Sequence, residues 1–347
     1  MLVESPPEQR AETAAAPPSR RAVRAVGLLA SLVLLALVAL ASIAIGAKEL
    51  SLEQVWHGLF EDSGTYGDVV VADRLSRTVL GVLAGAALGL AGSVLQALTR
   101  NPLADPGLLG INAGASAAVV TAITFFGVTS LSGYVWFAFF GAAAVGALVW
   151  FLGGSRGATP VRLALAGTAI SAALFGYLQA IMILDDAALG RMRFWTVGSL
   201  ASGSDSTIVQ VLPFIVAGSL LALALARPLN AMAMGDDTAK ALGANLNRTR
   251  ALSMLAATVL CGAATAACGP IIFVGLMVPH VVRSFTGPDQ RWILPYAAVL
   301  SPVLLLGADV IGRIVARPAE LQVGIVTAIL GGPVFILLVR RRRTAQL

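Results

Sequence analysis

Long apolar segments recur from one end of this chain to the other, and they constrain its fold more than any other feature. A bilayer core about 30 Å thick takes about 20 apolar residues of helix to cross. Candidate spans fall at 26–46, 77–98, 108–128, 134–152, 161–184, 207–226, 251–268, 270–286, 292–312 and 321–339. Between them no polar block reaches the roughly 100 residues that a soluble domain needs. Only 12% of the residues are charged, against about a quarter in soluble domains. The expectation is an all-α, polytopic membrane protein with about ten transmembrane helices. The weakest span is 270–286, which Pro270, Pro279, His280 and Arg283 interrupt. A short or broken helix leaning on protein is expected there.

Residues 1–24 are rich in Ala, Pro, Glu, Ser and Arg without a periodic apolar face, and read as a disordered cytoplasmic tail. The run from Val26 to Gly46 is longer than the apolar core of a secretory signal and lacks a small-x-small cleavage site, so it reads as an uncleaved first helix. Residues 25–340 then form one transmembrane domain, and 341–347 a basic cytoplasmic tail. Ten spans put both ends on one side, and the positive-inside rule tests which. Seventeen of the 24 Lys and Arg fall on the proposed cytoplasmic side. The other seven are Lys48, Arg74, Arg77, Arg191, Arg193, Arg313 and Arg317. Both termini are therefore expected in the cytoplasm. The net charge of +6 follows this topology and forms no basic patch interleaved with aromatics, so lipid is the expected partner and nucleic acid is not.

Gly81, Gly85 and Gly89 clear one face of the second span for close approach of a neighbouring backbone. Cys261 and Cys268 lie seven apart in one apolar segment, as two small packing residues or as a metal or redox pair; with no His or acid beside them, packing is the simpler reading. No metal site is expected.

A polytopic chain can be a channel, a secondary carrier, a membrane enzyme or the membrane half of a pump. Ion-driven carriers bury ionisable groups near the midplane, whereas these spans hold little beyond Asp309, toward an outer end, and His280 in the broken segment. The two histidines, His57 and His280, fall on opposite sides of the membrane, so no catalytic cluster assembles from them. The chain has no G-x-x-x-x-G-K-[ST] loop; if ATP drives it, another chain binds the nucleotide. Residues 228–250 read as one or two short helices on the cytoplasmic surface, with Asp236 and Asp237 at a helix start and Gly243 ending the turn.

Three blocks stand out. The first runs from Arg74-Leu-Ser-Arg77 through Gln96 to Arg100-Asn101-Pro102-Leu-Ala-Asp105-Pro106-Gly107. The second is Gly235-Asp236-Asp237-Thr-Ala239-Lys-Ala241-Leu242-Gly243. The third joins Gly269-Pro270, Pro279-His280 and Arg283 to Asp289-Gln290-Arg291, Asp309 to Arg313, Pro318-Ala-Glu320 and Gly331-Gly-Pro333. On these residues the chain resembles the permeases for iron-siderophores, haem and vitamin B12, the FecCD type within the ABC importers.

The resemblance implies a vitamin B12 importer permease-like (type II ABC importer) fold in the bacterial cytoplasmic (inner) membrane. The protomer would pair with a second permease, two ATP-binding cassette subunits below and a periplasmic or lipid-anchored substrate-binding protein above. ATP and Mg would sit on the ATPase, leaving this chain without a cofactor or catalytic role. It implies docking of the binding protein through Arg74, Arg77 and Arg313, with Arg317 a weaker candidate. The residue types alone allow these arginines to anchor helix ends or pair with Asp73 and Glu320. ATPase coupling maps onto Gly235, Asp236, Asp237, Ala239, Ala241, Leu242 and Gly243. Asn101, Pro102, Asp105, Pro106, Pro279 and His280 map onto structural or gating motifs. Where the family usually carries Asp-His-Arg, this chain has Gln290, which points that segment to structure. The implied cargo is a ferric siderophore or similar metal chelate; a haem or vitamin B12 importer, or an ion-coupled carrier of chelates, is the alternative. Gln96, Asn112, Thr168, Ser171, Gln179 and Thr196 are candidate pathway groups.

Overall fold

The computed structural model describes residues 20–61, 64–154, 160–201 and 203–344. In chain order the helices are α1 (Arg20–Ala44), α2 (Leu52–Phe60), α3 (Tyr66–Thr99), α4 (Ile111–Phe126), α5 (Leu131–Gly154), α6 (Pro160–Leu184) and α7 (Asp186–Trp195). They continue as α8 (Asp205–Ala224), α9 (Ala226–Ala233), α10 (Asp236–Ala241), α11 (Leu246–Cys268), α12 (Val274–Thr286), α13 (Gln290–Val315) and α14 (Val323–Thr344). A 3-10 turn, Pro106–Leu109, joins α3 to α4. No strand occurs among the described residues.

Each expected span falls on a helix. Seven of them, α1, α3, α5, α6, α8, α11 and α13, have the length and composition of a full crossing. Helix α4 and the apolar part of α14 are shorter, and α12 has 13 residues, about 20 Å of rise. Helix α12 is the segment expected to be weak. Gly269 and Phe273 before it have φ of 72° and 71°, so the chain turns out of α11 for five residues before helix resumes.

Two ends differ from the expectation. Helix α1 begins at Arg20, so residues 20–24 belong to the first helix and not to a tail; residues 1–19 lie outside the described residues. Helix α14 runs to Thr344, which takes most of the expected 341–347 tail into helix. Arginine is a good helix former, and an established helix propagates through it at little cost.

Helices α3 and α11 form the centre: 78% and 72% of their apolar windows are buried, against 17% for α1 and 11% for α6. Glycine makes this possible on α3. A Cβ at Gly85 would lie 2.6 Å from Pro302 Cα, at Gly89 it would meet Ser301, and at Gly92 it would meet the Gly275 carbonyl. The glycine face seen in the sequence thus packs α3 on α13 and α12 at backbone contact, where dispersion holds helices together in a lipid solvent. Cys261 and Cys268 are free and buried on α11, as packing residues are.

The non-helical turns are satisfied by one another. Ser199 N donates to Cys268 O at 2.7 Å and Gly324 N to Gly198 O at 3.1 Å, so irregular backbone at this depth is buried in protein.

Candidate functional site

Polar chemistry gathers at the two ends of α3. Arg77 and Arg100 are separated by about 35 Å of helix, close to the thickness of a bilayer core.

At the first end, Arg74 donates to the carbonyls of Ile43 (3.0 Å), Ala44 (2.9 Å) and Lys48. It closes the C-terminal turn of α1, whose last carbonyls have no intrahelical partner. Arg313, 1% exposed, donates to Ser42 O at 2.9 Å and Ser42 Oγ at 2.8 Å. It also pairs with Asp309 at 3.0 Å. Arg77 forks onto Asp309 through Nε (3.0 Å) and Nη2 (2.7 Å), and its Nη1 reaches Glu320 at 2.6 Å. Asp309 has no exposed surface. Such burial is tolerated because each carboxylate oxygen meets a guanidinium N–H in good geometry.

The three arginines expected to act together do line one pocket of about 340 Å³, with Lys48, Asp73 and Glu320. All three donate inside the chain; Arg74 and Arg313 are buried, and Arg77, its side chain 12% exposed, is the most open of them. A guanidinium at this depth lowers its energy by taking carbonyl and carboxylate partners. The alternative pairing of Arg77 with Glu320 is present, whereas among the described residues no arginine pairs with Asp73. Arg317 binds Glu49 at 2.9 Å and Gly46 O at 2.7 Å.

At the other end, the short helices expected in 228–250 are two. Gly235 (φ 107°) and Gly243 (φ 80°) bound α10. Asp236 and Asp237 open it, Ala239 is buried beneath it, and Leu242 and Met234 are 63% and 60% exposed. Ala241 is exposed beside Leu242. Asp236 accepts from Arg100 and, at 2.6 Å, from Arg250. Partial desolvation pushes this carboxyl up, but the bonds from Arg100 and Arg250 outweigh it and hold the group below the usual carboxylate range. Asn230 of α9 donates to Asp289 Oδ1 at 2.6 Å and accepts from Gln290 N at 2.8 Å. Gln290 thus helps to close the α12–α13 turn.

Just past this second end, the 101–106 segment makes a tight turn after Arg100, the C-cap of α3 with φ 50°. Asn101 Oδ1 accepts from Leu103 N at 3.0 Å, Pro102 follows it, and Asp105 accepts from Gly107 N at 2.7 Å with Pro106 opening the 3-10 turn. Asp105 borders a cavity of about 780 Å³, whose other polar lining groups include Asn112, Ser116, Ser171 and Thr196. The carboxyl is partly open to the cavity but ringed by protein, and burial pushes it up to about 6 against the Gly107 N–H. Of the candidate pathway groups, Asn112, Ser171 and Thr196 line this cavity. Gln96 is buried elsewhere, donating to Leu276 O at 3.0 Å and accepting from Arg283 at 3.2 Å. Thr168 and Gln179 are exposed on α6. Pro279 is buried within α12 and His280 follows half-buried. No group of three or more His, Cys, Asp or Glu that could hold a metal occurs among the described residues.

Sequence reasoning missed three participants: Ser42, Asn230 and Arg250 as the partner of Asp236. Each acts across a long separation, and only the four-residue spacing of Asp309 and Arg313 could have been read locally.

The profile of the FecCD transport family matches residues 34–341. The ferric enterobactin transport system permease FepD of Escherichia coli K12 is 46% identical over 323 residues, 92% of this chain and 96% of the relative. The Fe(3+)-citrate import permease YfmD of Bacillus subtilis 168 is 39% identical, over 88% and 91% of the two chains. The hemin transport permease HmuU of Yersinia pestis is 38% identical, over 90% and 94%. A solved inward-facing, metal-chelate type ABC transporter superposes with a TM-score of 0.80 at 28% identity, covering 91% of this chain and 99% of that one.

Proposed function

This chain belongs to the FecCD transport family, and from that premise we propose that it carries a ferric siderophore, or a chelate of similar character, across the bacterial cytoplasmic membrane as the permease subunit of an ABC importer. The observation that carries the cargo is the 46% identity to a ferric enterobactin permease across nearly the whole chain. Haem is the second reading, supported by the 38% identity to a hemin permease.

The protein supplies geometry and no bond-breaking chemistry. ATP bound by two separate subunits drives a change in which side the bundle's cavity faces, and the force enters through 235–243. Exposed Met234 and Leu242 support this, because two apolar side chains on a polar inner surface are suited to a protein partner. The binding protein docks at the opposite end, over the pocket of Arg74, Arg77 and Arg313. There Arg77 meets the incoming carboxylate while Arg74 and Arg313 hold the helix ends that carry it. Steered Arg–carboxylate pairs suit a reversible encounter.

A second permease protomer covers α6. That helix is mostly exposed, and its exposed residues include Gln179, whose amide lipid does not solvate. Ten crossings with both termini inside complete the arrangement: α4, α12 and α14 reach the far side through protein-lined surroundings.

The test is reconstitution in proteoliposomes with the ATPase and binding protein of a ferric-siderophore importer, following uptake of 55Fe-enterobactin. Uptake is expected only with ATP and the binding protein together, and excess haem should not compete. Uptake by this chain alone under an ion gradient would replace the proposal with a secondary carrier.

A further inference from the structure

We propose that Asp236 is a positioning residue, the centre of a charged clamp with Arg100 and Arg250 that ties α10 to the inner ends of the two central helices. The inference deepens the reading of 235–243 as the ATPase contact and rests on it for its transport arm.

Helix α10 has six residues, far too few to be stable or oriented by its own hydrogen bonds. Glycines with positive φ stand on both sides of it, so the backbone sets its direction only loosely. Something outside the helix must therefore hold it at an angle. Ala239 gives it one buried contact, too small to resist a sideways load. The directional contacts are those of Asp236, whose two oxygens go to different helices: Oδ1 to Arg100, Oδ2 to Arg250.

Both arms are placed for this. Arg100 is one of two non-glycine residues with positive φ among those described, a conformation uncommon outside glycine. It caps α3 and sends its side chain to the start of α10. Arg250 lies in the first turns of α11 with its side chain 16% exposed. A displacement of α10 thus loads α3 and α11 together, the two helices with the largest buried share. The neighbouring α9 is tied elsewhere, through Asn230 to Asp289 and the Gln290 amide at the start of α13. Helices α9 and α10 therefore have separate anchorages, and Gly235 lies between them as the point about which they move.

An ordinary surface ion pair contributes little and its loss is silent. One carboxylate shared by two guanidiniums is a charge-assisted network with a defined direction, and its loss should alter how motion is passed on.

Two measurements on Asp236→Asn separate these cases, with Asp236→Glu as the conservative rescue. In the full chain alone, in lipid nanodiscs, hydrogen exchange of amides 239–242, the first that α10 bonds internally, should accelerate about tenfold while those of 84–98 stay protected. Unchanged exchange at 239–242 overturns the clamp, whatever the protein transports. In the reconstituted complex, Asp236→Asn should retain the ATPase at wild-type stoichiometry yet move about tenfold less 55Fe-enterobactin per ATP, with Asp236→Glu recovering most of it. Normal uptake per ATP, or loss of the ATPase from the complex, would overturn it, the latter by making Asp236 a direct ATPase contact. If wild-type complex takes up no iron while the exchange result holds, the transport reading fails and the clamp stands. Should Asp236→Asn not accumulate, Arg250→Gln removes one arm and reads the same quantities.

Discussion

Asp309 on α13 accepts from both Nε and Nη2 of Arg77 on α3, and the carboxylate has no exposed surface. This fork fastens the central helix to its neighbour at the opposite end from the Asp236 clamp. Arg313 adds a second guanidinium at 3.0 Å and carries the linkage to Ser42 of α1.

Removing that carboxylate leaves Arg313 buried with no counter-charge in contact and Arg77 with Glu320 alone. Asp309→Ala should destabilise the bundle by about 3–5 kcal/mol, read as a large fall in the midpoint of thermal aggregation in detergent. A midpoint close to wild type would mean that water reaches the site.

Glu320 is different, because its side chain is 35% exposed and it contacts only one nitrogen of Arg77. Glu320→Gln should change stability by less than about 1 kcal/mol. It should nevertheless tighten binding-protein association severalfold, since an incoming acid no longer displaces a resident one. Weaker association measured by surface plasmon resonance would show that Glu320 helps to build the docking face.

Gly85 has no room for a side chain: its Cβ would meet the Pro302 backbone at 2.6 Å. Gly85→Val forces α3 and α13 apart and should cost about 3 kcal/mol or more, visible as poor recovery of monodisperse protein. Gly307, where a Cβ meets nothing within 4 Å, should accept Ala with little loss.

Two carboxyl groups outside the spans give stability opposite dependences on pH. Asp105 is raised to about 6 by burial, so between about pH 4 and 6 the native state holds more protons than the unfolded chain. Its contribution is full below about pH 4 and lost as pH rises through about 6. Asp105→Asn, whose Oδ1 can still accept from Gly107, should recover about 1–2 kcal/mol at pH 7 and nothing at pH 4. Asp289 is held at about 2, chiefly by the Arg291 side chain, with desolvation opposing and the Arg291 amide and Asn230 assisting. Its contribution is present above about pH 4 and lost as pH falls toward 2. Melting curves of the two Asn variants across pH should diverge from wild type in these separate windows.

Orientation can be checked with a membrane-impermeant maleimide on intact cells, in a background lacking Cys261 and Cys268. Lys240→Cys should label only after permeabilisation, and Ser204→Cys before it. The reverse pattern would invert the proposed topology.

Apolar runs, arginine asymmetry and local motifs determined the membrane environment, the helical class, the position of every long helix and the family. These are properties of short stretches: a bilayer selects segments by summed hydrophobicity, and a turn such as 101–106 closes on its own side chains. The glycine face of α3 and the start of α10 at Asp236 were legible for the same reason. The amphipathic helix α2, with its Ser51–Gln54 capping box, lies outside the spans and went unread.

Only the tertiary structure decided what the charged residues do. Arg74, Arg77 and Arg313 look alike in sequence, yet they fasten different elements and differ in exposure, because apart from the Asp309–Arg313 pair their partners lie dozens to hundreds of positions away. Asp236 meets Arg100 across 136 residues of chain. Pairings at that range depend on how glycine-lined helices stack, which sets the distances over which charges act and leaves no periodic trace in the order of amino acids.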